Sequence, residues 1–252
     1  MKLTVVGCAG SYPGPDSPAS CYLVEAPDAE GRTWRLVLDM GNGALGALHN
    51  YTDPLGVDGV ALSHLHADHC VDLTGYYVLR RYHPSGSHAA IPVWGPEGSA
   101  ERLARAYDLP PSPGMTGEFD FRTYDGVFRL GPFEVEPTRV AHPVLTFALR
   151  ITAGGRTLTY SGDSGVCDAL EESARDVDLF LVEGSFLEGE DNPPDLHLTG
   201  KEAGETATRA GARRVVVTHV PPWYDRAQVL REARGAYAGP LELAVAGATY
   251  DV

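Results

Sequence analysis

No stretch of the chain approaches the roughly 18 consecutive apolar residues that a membrane-crossing helix needs, so no membrane span is expected. Cysteines are scattered: Cys8, Cys21, Cys70 and Cys167 form no C-x-x-C pair. That spacing argues against both a disulfide framework and a cysteine-ligated zinc knot. The opening Met1-Lys2-Leu3-Thr4-Val5-Val6-Gly7 has a short apolar run without a long hydrophobic region. It reads as a first strand and not a signal peptide, and the cytoplasm is the expected compartment. Basic residues are also scarce, 20 against 34 acidic, for a net charge of −14. Such a chain repels a long phosphate backbone at a distance unless its cations are concentrated in one patch. The balance favours a small substrate over RNA. No internal repeat and no compositional shift marks a linker, so residues 1–252 are read as one domain, long enough to bury a substantial core.

What is present is concentrated. Leu62-Ser63-His64-Leu65-His66-Ala67-Asp68-His69 places three imidazoles and a carboxylate in six residues, directly after the apolar Val60-Ala61-Leu62. A strand leads in, a tight turn holds the polar groups, and a helical pattern (Leu73, Tyr76, Tyr77, Arg80) leads out. His64 and His66 are two apart, so on an extended backbone they point the same way. Asp68 and His69 follow at the bend and can face a second point. Neutral imidazole and carboxylate suit zinc, and manganese and iron also accept them.

The remaining elements follow from patterning. Strands are expected at Leu3–Gly7, Cys21–Glu25 and Trp34–Leu38, and helices at 44–51, 71–82 and 97–107. Asp39-Met40-Gly41 closes the third strand, and Asp39 is read as support for neighbouring loops. Residues 109–117, rich in Pro and Gly, read as a surface loop or partial lid. Phe119–Tyr124, Val127–Leu130 and Phe133–Val140 are expected to belong to a second sheet, followed by a hairpin around Gly154-Gly155. Thr199-x-x-Glu202 is a capping box opening a helix, and Asp225 with Gln228 suggests another helix start. His142, Asp163 and His219 each stand just past an apolar β run, where a rigid sheet can hold a site.

The H-x-H-x-D-H stretch identifies the chain as resembling the metallo-β-lactamase superfamily, from end to end. That resemblance implies an α/β fold, the four-layer αβ/βα sandwich, with a dinuclear site at one edge between the sheets. It assigns one metal to His64, His66 and His142. It assigns the other to Asp68, His69 and His219, with Asp163 bridging. Two divalent metals, zinc by expectation and Mn2+ or Fe2+ as alternatives, would lie about 3.5–4 Å apart and clamp an in-line displacement. Asp68 and Asp163 would orient the attacking hydroxide.

Other segments resemble the tRNase Z group: Gly7-Cys8-Ala9-Gly10-Ser11, Tyr160-Ser161-Gly162-Asp163-Ser164, and Glu183-Gly184-Ser185-Phe186 with His197-Leu198-Thr199. The resemblance makes Glu183 the residue that aims His197, and His197 the donor of a proton to the leaving 3′ oxygen. Departures are Val182 and Gly184, where that group has His and Ala, and Asp72, where many members have Gly. The extended arm that grips tRNA in long forms would fall between His142 and Asp163, and only a short hairpin fits there. Residues 10–20 and 66–73 are similar to actinobacterial relatives that hydrolyse cyclic nucleotides. The expected activity is therefore metal-dependent hydrolysis of a small phosphodiester, foremost a 3′,5′-cyclic nucleotide such as cAMP. The alternatives are tRNase Z-like RNA 3′ processing and a lactonase or arylsulfatase on the same fold. A homodimer is compatible with the resemblance.

Overall fold

The computed structural model describes residues 1–86 and 88–252. Strands β1 (Lys2–Gly7), β2 (Cys21–Pro27), β3 (Thr33–Leu38), β4 (Gly59–Ala61), β5 (Ile91–Gly95) and β6 (Phe119–Thr123) build one sheet. Strands β7 (Phe128–Leu130), β8 (Phe133–Arg139), β9 (Phe147–Ala153), β10 (Arg156–Tyr160), β11 (Leu179–Glu183), β12 (Val215–Thr218) and β13 (Leu241–Leu243) build the other. The chain then returns as β14 (Thr249–Asp251) to the edge of the first sheet. Each sheet is seven-stranded, in the orders β14-β1-β2-β3-β4-β5-β6 and β13-β12-β11-β10-β9-β8-β7.

The sheets face each other across an apolar layer. Leu3, Val5, Tyr22, Leu36 and Leu38 of the first meet Leu149, Ile151, Leu158, Tyr160, Leu181 and Val216 of the second. Helices α1 (Ala44–Leu48), α2 (Ala67–Cys70), α3 (Leu73–Tyr82) and α4 (Ser99–Ala106) accompany the first sheet. Leu48, Leu73, Tyr76, Tyr77 and Leu103 pack there on Leu23, Val37 and Val60. Helices α5 (Asp168–Ser173), α6 (Gly200–Ala210) and α7 (Arg226–Ala236) cover the second through Leu170, Ala203, Ala207, Val229 and Ala233. With both faces covered, inner strands such as Val215–Val217 are continuous apolar runs with no alternation. The result is the expected αβ/βα sandwich. Helix α6 seats closely on α7 because a Cβ at Gly200 or Gly204 would come within 2.5 Å of the Val229 or Ala233 carbonyl oxygen.

Strand direction decides where the polar ends collect. β3, β4, β5 and β6 are mutually parallel, as are β10, β11, β12 and β13. β8 is antiparallel to β9, and β9 to β10, so β8 runs in the direction of β10. The carboxyl ends of β8, β10, β11 and β12 therefore share one edge, and they lead into His142, Asp163, Glu183 and His219. Crevices outside the carboxyl ends of parallel strands are the ordinary ligand position in open α/β sheets.

Three expectations are corrected. Phe119–Tyr124 does not belong to the second sheet: β6 lies parallel to β5 at the edge of the first. The intervening α4 makes β5-α4-β6 a crossover, which returns the chain to the same sheet, and the antiparallel hairpin begins only at β7. Residues 109–117 form the expected surface loop, exposed along most of its length, and not a free lid. Met115 is buried with Leu103 and Phe119 in the outer core of the first sheet. Gln228 does not complete a capping box: its amide donates to Glu232, while Asp225 alone caps α7 by accepting from the Ala227 N–H. Strand β14 carried no signal the patterning resolved.

Thr199 forms the full box: its side chain accepts from the Glu202 N–H, and the Glu202 carboxylate accepts from the Thr199 N–H. Removing such a cap costs about 1 kcal/mol. Thr199→Ala is expected to lower the melting temperature by about 2–4 °C for a chain of this size, read by calorimetry or circular dichroism.

Candidate metal centre

The six-residue motif begins two residues past Leu62, whose N–H extends β4 by donating to the Trp94 carbonyl. His64 and His66 lie on extended backbone, and His66 starts the short turn of α2 that carries Asp68 and His69. That turn is pinned from below by the segment after β3. The Met40 N–H donates to the His69 carbonyl at 2.7 Å, and the Asp72 N–H donates to the Met40 carbonyl at 3.1 Å. Only glycine fits at position 41, since a Cβ there would lie 1.9 Å from the Asp68 carbonyl oxygen. Asp72, a departure from the superfamily pattern, accepts from the Leu45 N–H and so caps α1 from outside.

Two groups of side chains converge. His64, His66, His142 and Asp163 form one, and Asp68, His69, Asp163 and His219 form the other, with the donor atoms in each within 4.8 Å of one another. Asp163 belongs to both, as the bridging position requires. Thus the structure brings together all seven side chains that the sequence singled out.

Hydrogen bonds on the far side of each ring fix which nitrogen faces inward. The His142 Nδ1–H donates to the Leu196 carbonyl at 2.8 Å, and the His69 Nδ1–H to the Asp39 carboxylate at 2.7 Å. Ser63 Oγ donates to Asp39, so it accepts from the His64 Nδ1–H at 3.1 Å. Ser185 Oγ donates to the His219 carbonyl, so it accepts from the His219 Nδ1–H at 2.7 Å. All four Nε2 atoms therefore present lone pairs to the cluster. Yet His69 Nε2 and His219 Nε2 are 3.1 Å apart, and His64 Nε2 is 3.0 Å from His66 Nδ1. Lone pairs facing each other repel unless a cation lies among them. A tetrahedral ion with bonds of about 2.0–2.1 Å sets its ligands about 3.3–3.4 Å apart, close to these spacings. Asp163 Oδ1 is buried and finds no donor, although His69 Nε2 is 3.2 Å away. The donor set fits two divalent metals.

Electrostatics divide the ligands. Burial would lower His69, but the Asp163 and Asp39 carboxylates outweigh it and push the ring up, so that without a cation a proton fills its place. Burial pulls His64, His66 and His142 below the usual imidazole range, toward the neutral form that binds metal. Burial would raise Asp163, but the surrounding imidazoles outweigh it and hold the carboxyl well below its usual range. Asp39, expected as support, is at the centre of that support. Its Oδ2 accepts from Ser63, His69 and Tyr160, each at 2.7 Å.

Glu183 and His197 stand beside the cluster. Glu183 is fully buried at the end of β11. Its Oε1 accepts from the Ser164 N–H at 2.8 Å and from His197 Nδ1 at 2.9 Å, and Oε2 accepts from the Ser185 N–H at 3.2 Å. Burial would lower His197, but the Glu183 carboxylate dominates and pushes it up to about 9. The Glu183 side chain thus fixes both the proton on His197 and the backbone that follows Asp163. Gly184 is required because a Cβ would meet Val217 Cγ1 at 2.8 Å, and Val182 packs in the outer core with Val217. Ser63, Ser185, Tyr160 and the Leu196 carbonyl were not assigned from sequence. Ser63 and Ser185 stand next to or within the quoted motifs, but an abundant residue such as serine carries no spacing signal. A pocket of about 320 Å³ adjoins His66, lined by Leu65, Pro96, Glu97, Arg102, Val144 and Leu145.

Metal analysis of the purified protein is expected to give two divalent ions per chain. Asp39→Asn, which leaves His69 unaimed, is expected to weaken metal retention about 10- to 100-fold in chelator competition. Unchanged retention would overturn the support role of Asp39.

The family model for the beta-lactamase superfamily domain matches residues 35–220. An uncharacterized protein of Mycobacterium leprae is 46% identical over 259 residues, spanning all of this chain and 89% of the relative. The probable metallo-hydrolase YhfI of Bacillus subtilis is 28% identical over 254 residues, covering each chain in full. Its crystal structure superposes with a TM-score of 0.87, covering 99% of this chain and 98% of that one at 26% identity. Human tRNase Z, short form, shares the fold at a TM-score of 0.76 and 20% identity, over 100% and 99% of the two chains. On the family match and on the site geometry, the chain belongs to the metallo-β-lactamase superfamily.

Proposed function

We propose that the protein is a dinuclear metal-dependent phosphodiesterase acting on a small diester, foremost a 3′,5′-cyclic nucleotide such as cAMP. The observation that carries this reading is the Glu183–His197 pair beside the metal ligands, a charged imidazole whose Nε2 is left for substrate. An alkoxide leaving group has a high pKa, so its departure from phosphorus calls for a positioned acid. The two cations, when bound, acidify water and withdraw charge from the phosphoryl group.

The chain's own residues divide the remaining work. His64, His66 and His142 would hold one ion and Asp68, His69 and His219 the other, with Asp163 shared. Asp68, whose carboxyl the flanking His219 and His69 keep well below its usual range against the effect of burial, stays ionised to accept a hydrogen bond from the attacking water. Glu183 keeps His197 protonated and oriented, and His197 gives that proton to the departing 3′ oxygen.

Scale and charge support a small substrate. His142 and Asp163 are separated only by β9, β10 and their connections, with no projecting arm. The exposed loop preceding His197 carries Glu188, Glu190, Asp191 and Asp195, and the net charge is −14. A second reading, RNA 3′ processing, draws on the likeness to ribonuclease Z of Myxococcus xanthus, 26% identical across all of this chain. It would need a basic surface from elsewhere. Zinc is the expected ion, with manganese and iron compatible with the same donors.

Side-by-side assay of cAMP, bis(4-nitrophenyl) phosphate and precursor tRNA tests the reading. Rapid precursor cleavage with inert cAMP would sink it. His197→Ala is expected to lower kcat on cAMP by about 10²–10⁴-fold with metal content intact. The loss on the nitrophenyl diester should be much smaller, because nitrophenolate leaves without protonation.

A further inference from the structure

Two aromatic rings stand at the metal centre's rim and belong to none of the apolar cores. Trp223 is 58% exposed and Tyr12 is 41% exposed, and their ring centroids lie 5.2 Å apart at an interplanar angle of 31°. Both are tied to the ligand His219. Trp223 follows it through Val220-Pro221-Pro222, a stiff connection in which two prolines fix φ. Tyr12 follows Gly10 and Ser11, which run alongside: the Gly10 N–H donates to the Val220 carbonyl at 3.2 Å, and the Ser11 N–H lies 3.5 Å from His219 Nε2. His219 itself has the left-handed φ of 57°, which turns the chain sharply out of β12 and sends Trp223 to the rim.

The same side of the cluster carries the proton donor. The His197 ring lies 5.5 Å from the His219 ring and 5.0 Å from that of Phe186. Tyr224, next to Trp223, packs edge-on against it and donates from its hydroxyl to Glu190 at 2.8 Å, anchoring the segment to the acidic loop. His219 thus links the two features: its ring neighbours that of His197, and the chain segments beside it carry Tyr12 and Trp223. A large indole held outside every core costs apolar exposure, and this one is braced by prolines and a neighbouring ring.

We infer that Tyr12 and Trp223 form a stacking platform for the nucleobase of the substrate, and that it selects nucleotides over other phosphodiesters. This deepens the proposed phosphodiesterase reading and rests on it. A flat π-face is sequence-tolerant, so the platform favours a base over no base more strongly than one base over another. The pocket beside His66, with Glu97 and Arg102 in its wall, is not required.

The chain has three tryptophans, and Trp94 is buried while Trp34 is half-buried. Titration of the metal-loaded protein with AMP, followed by tryptophan emission, is therefore expected to report on Trp223. AMP should quench emission, ribose 5-phosphate should not, and Trp223→Phe should remove the response. In turnover of cAMP, Trp223→Ala should raise KM by about ten-fold or more, with the effect falling on KM and not kcat. Trp223→Phe, which keeps a ring, should restore most of the KM. Equal quenching by ribose 5-phosphate, or a wild-type KM in Trp223→Ala, would overturn the platform while cAMP hydrolysis still stood. A dimer that dissociates on Trp223→Ala with KM unchanged would also overturn it, assigning the rings to a subunit contact. Failure of the wild-type protein to hydrolyse cAMP while cleaving bis(4-nitrophenyl) phosphate would overturn the nucleotide reading itself.

Discussion

The structure depends on one electrostatic conflict: imidazole lone pairs and carboxylate oxygens that face one another at close range in a buried space. His69 Nε2 and His219 Nε2 are held 3.1 Å apart, and Asp163 Oδ1 finds no donor. Polar atoms of like sign do not gather this way by hydrophobic burial, and unrelieved they cost several kcal/mol. They are held because the other nitrogen of each ring is committed elsewhere, to Asp39, Ser63, Ser185 or the Leu196 carbonyl. Divalent cations held among these donors would turn the repulsion into coordination. Metal binding and the local fold are accordingly coupled.

The sandwich architecture makes this possible at modest cost. Strand interiors are apolar on both faces, and the carboxyl ends of β8, β10, β11 and β12 meet at one edge. Each of His142, Asp163, Glu183 and His219 therefore stands at the end of a rigid strand or within three positions of it. Left-handed backbone at Asp39 and His219 marks where the chain leaves its strand to aim a side chain. Glu183 connects the segment after Asp163 to His197, since the same oxygen accepts from the Ser164 N–H and from the His197 ring. In the proposed reaction, metal binding and proton transfer would share this single buried carboxylate.

Much of this was legible in the chain. His64, His66, Asp68 and His69 are spaced by the backbone periods of strand and turn, so their common orientation follows from local geometry. His142, Asp163 and His219 stand out because each ends an apolar run, and Glu183 is marked by the resemblance of its segment to the tRNase Z group. The capping box at Thr199 is likewise a local pattern. Less was legible where partners are distant in sequence. Phe119–Thr123 has the same pattern as the strands after it, and its sheet is set by the α4 crossover. β14 is three residues long and exists because β1 offers an edge. Met115 sits in a loop of prolines and glycines, and its burial depends on Leu103 and Phe119.

The sequence by itself determined the ligand types, their order and the strand ends that carry them, because those are properties of neighbouring residues. Only the tertiary structure decided which nitrogen of each imidazole faces the cluster, since that depends on hydrogen bonds donated to Asp39, Ser63, Ser185 and the Leu196 carbonyl. It alone brought Asp163 into both metal groups, through the face-to-face packing of two sheets. It also set Tyr12 against Trp223, more than two hundred residues apart, at the rim beside His219. Spacing along the chain fixes what chemistry is available, and packing across it fixes where lone pairs, protons and rings point.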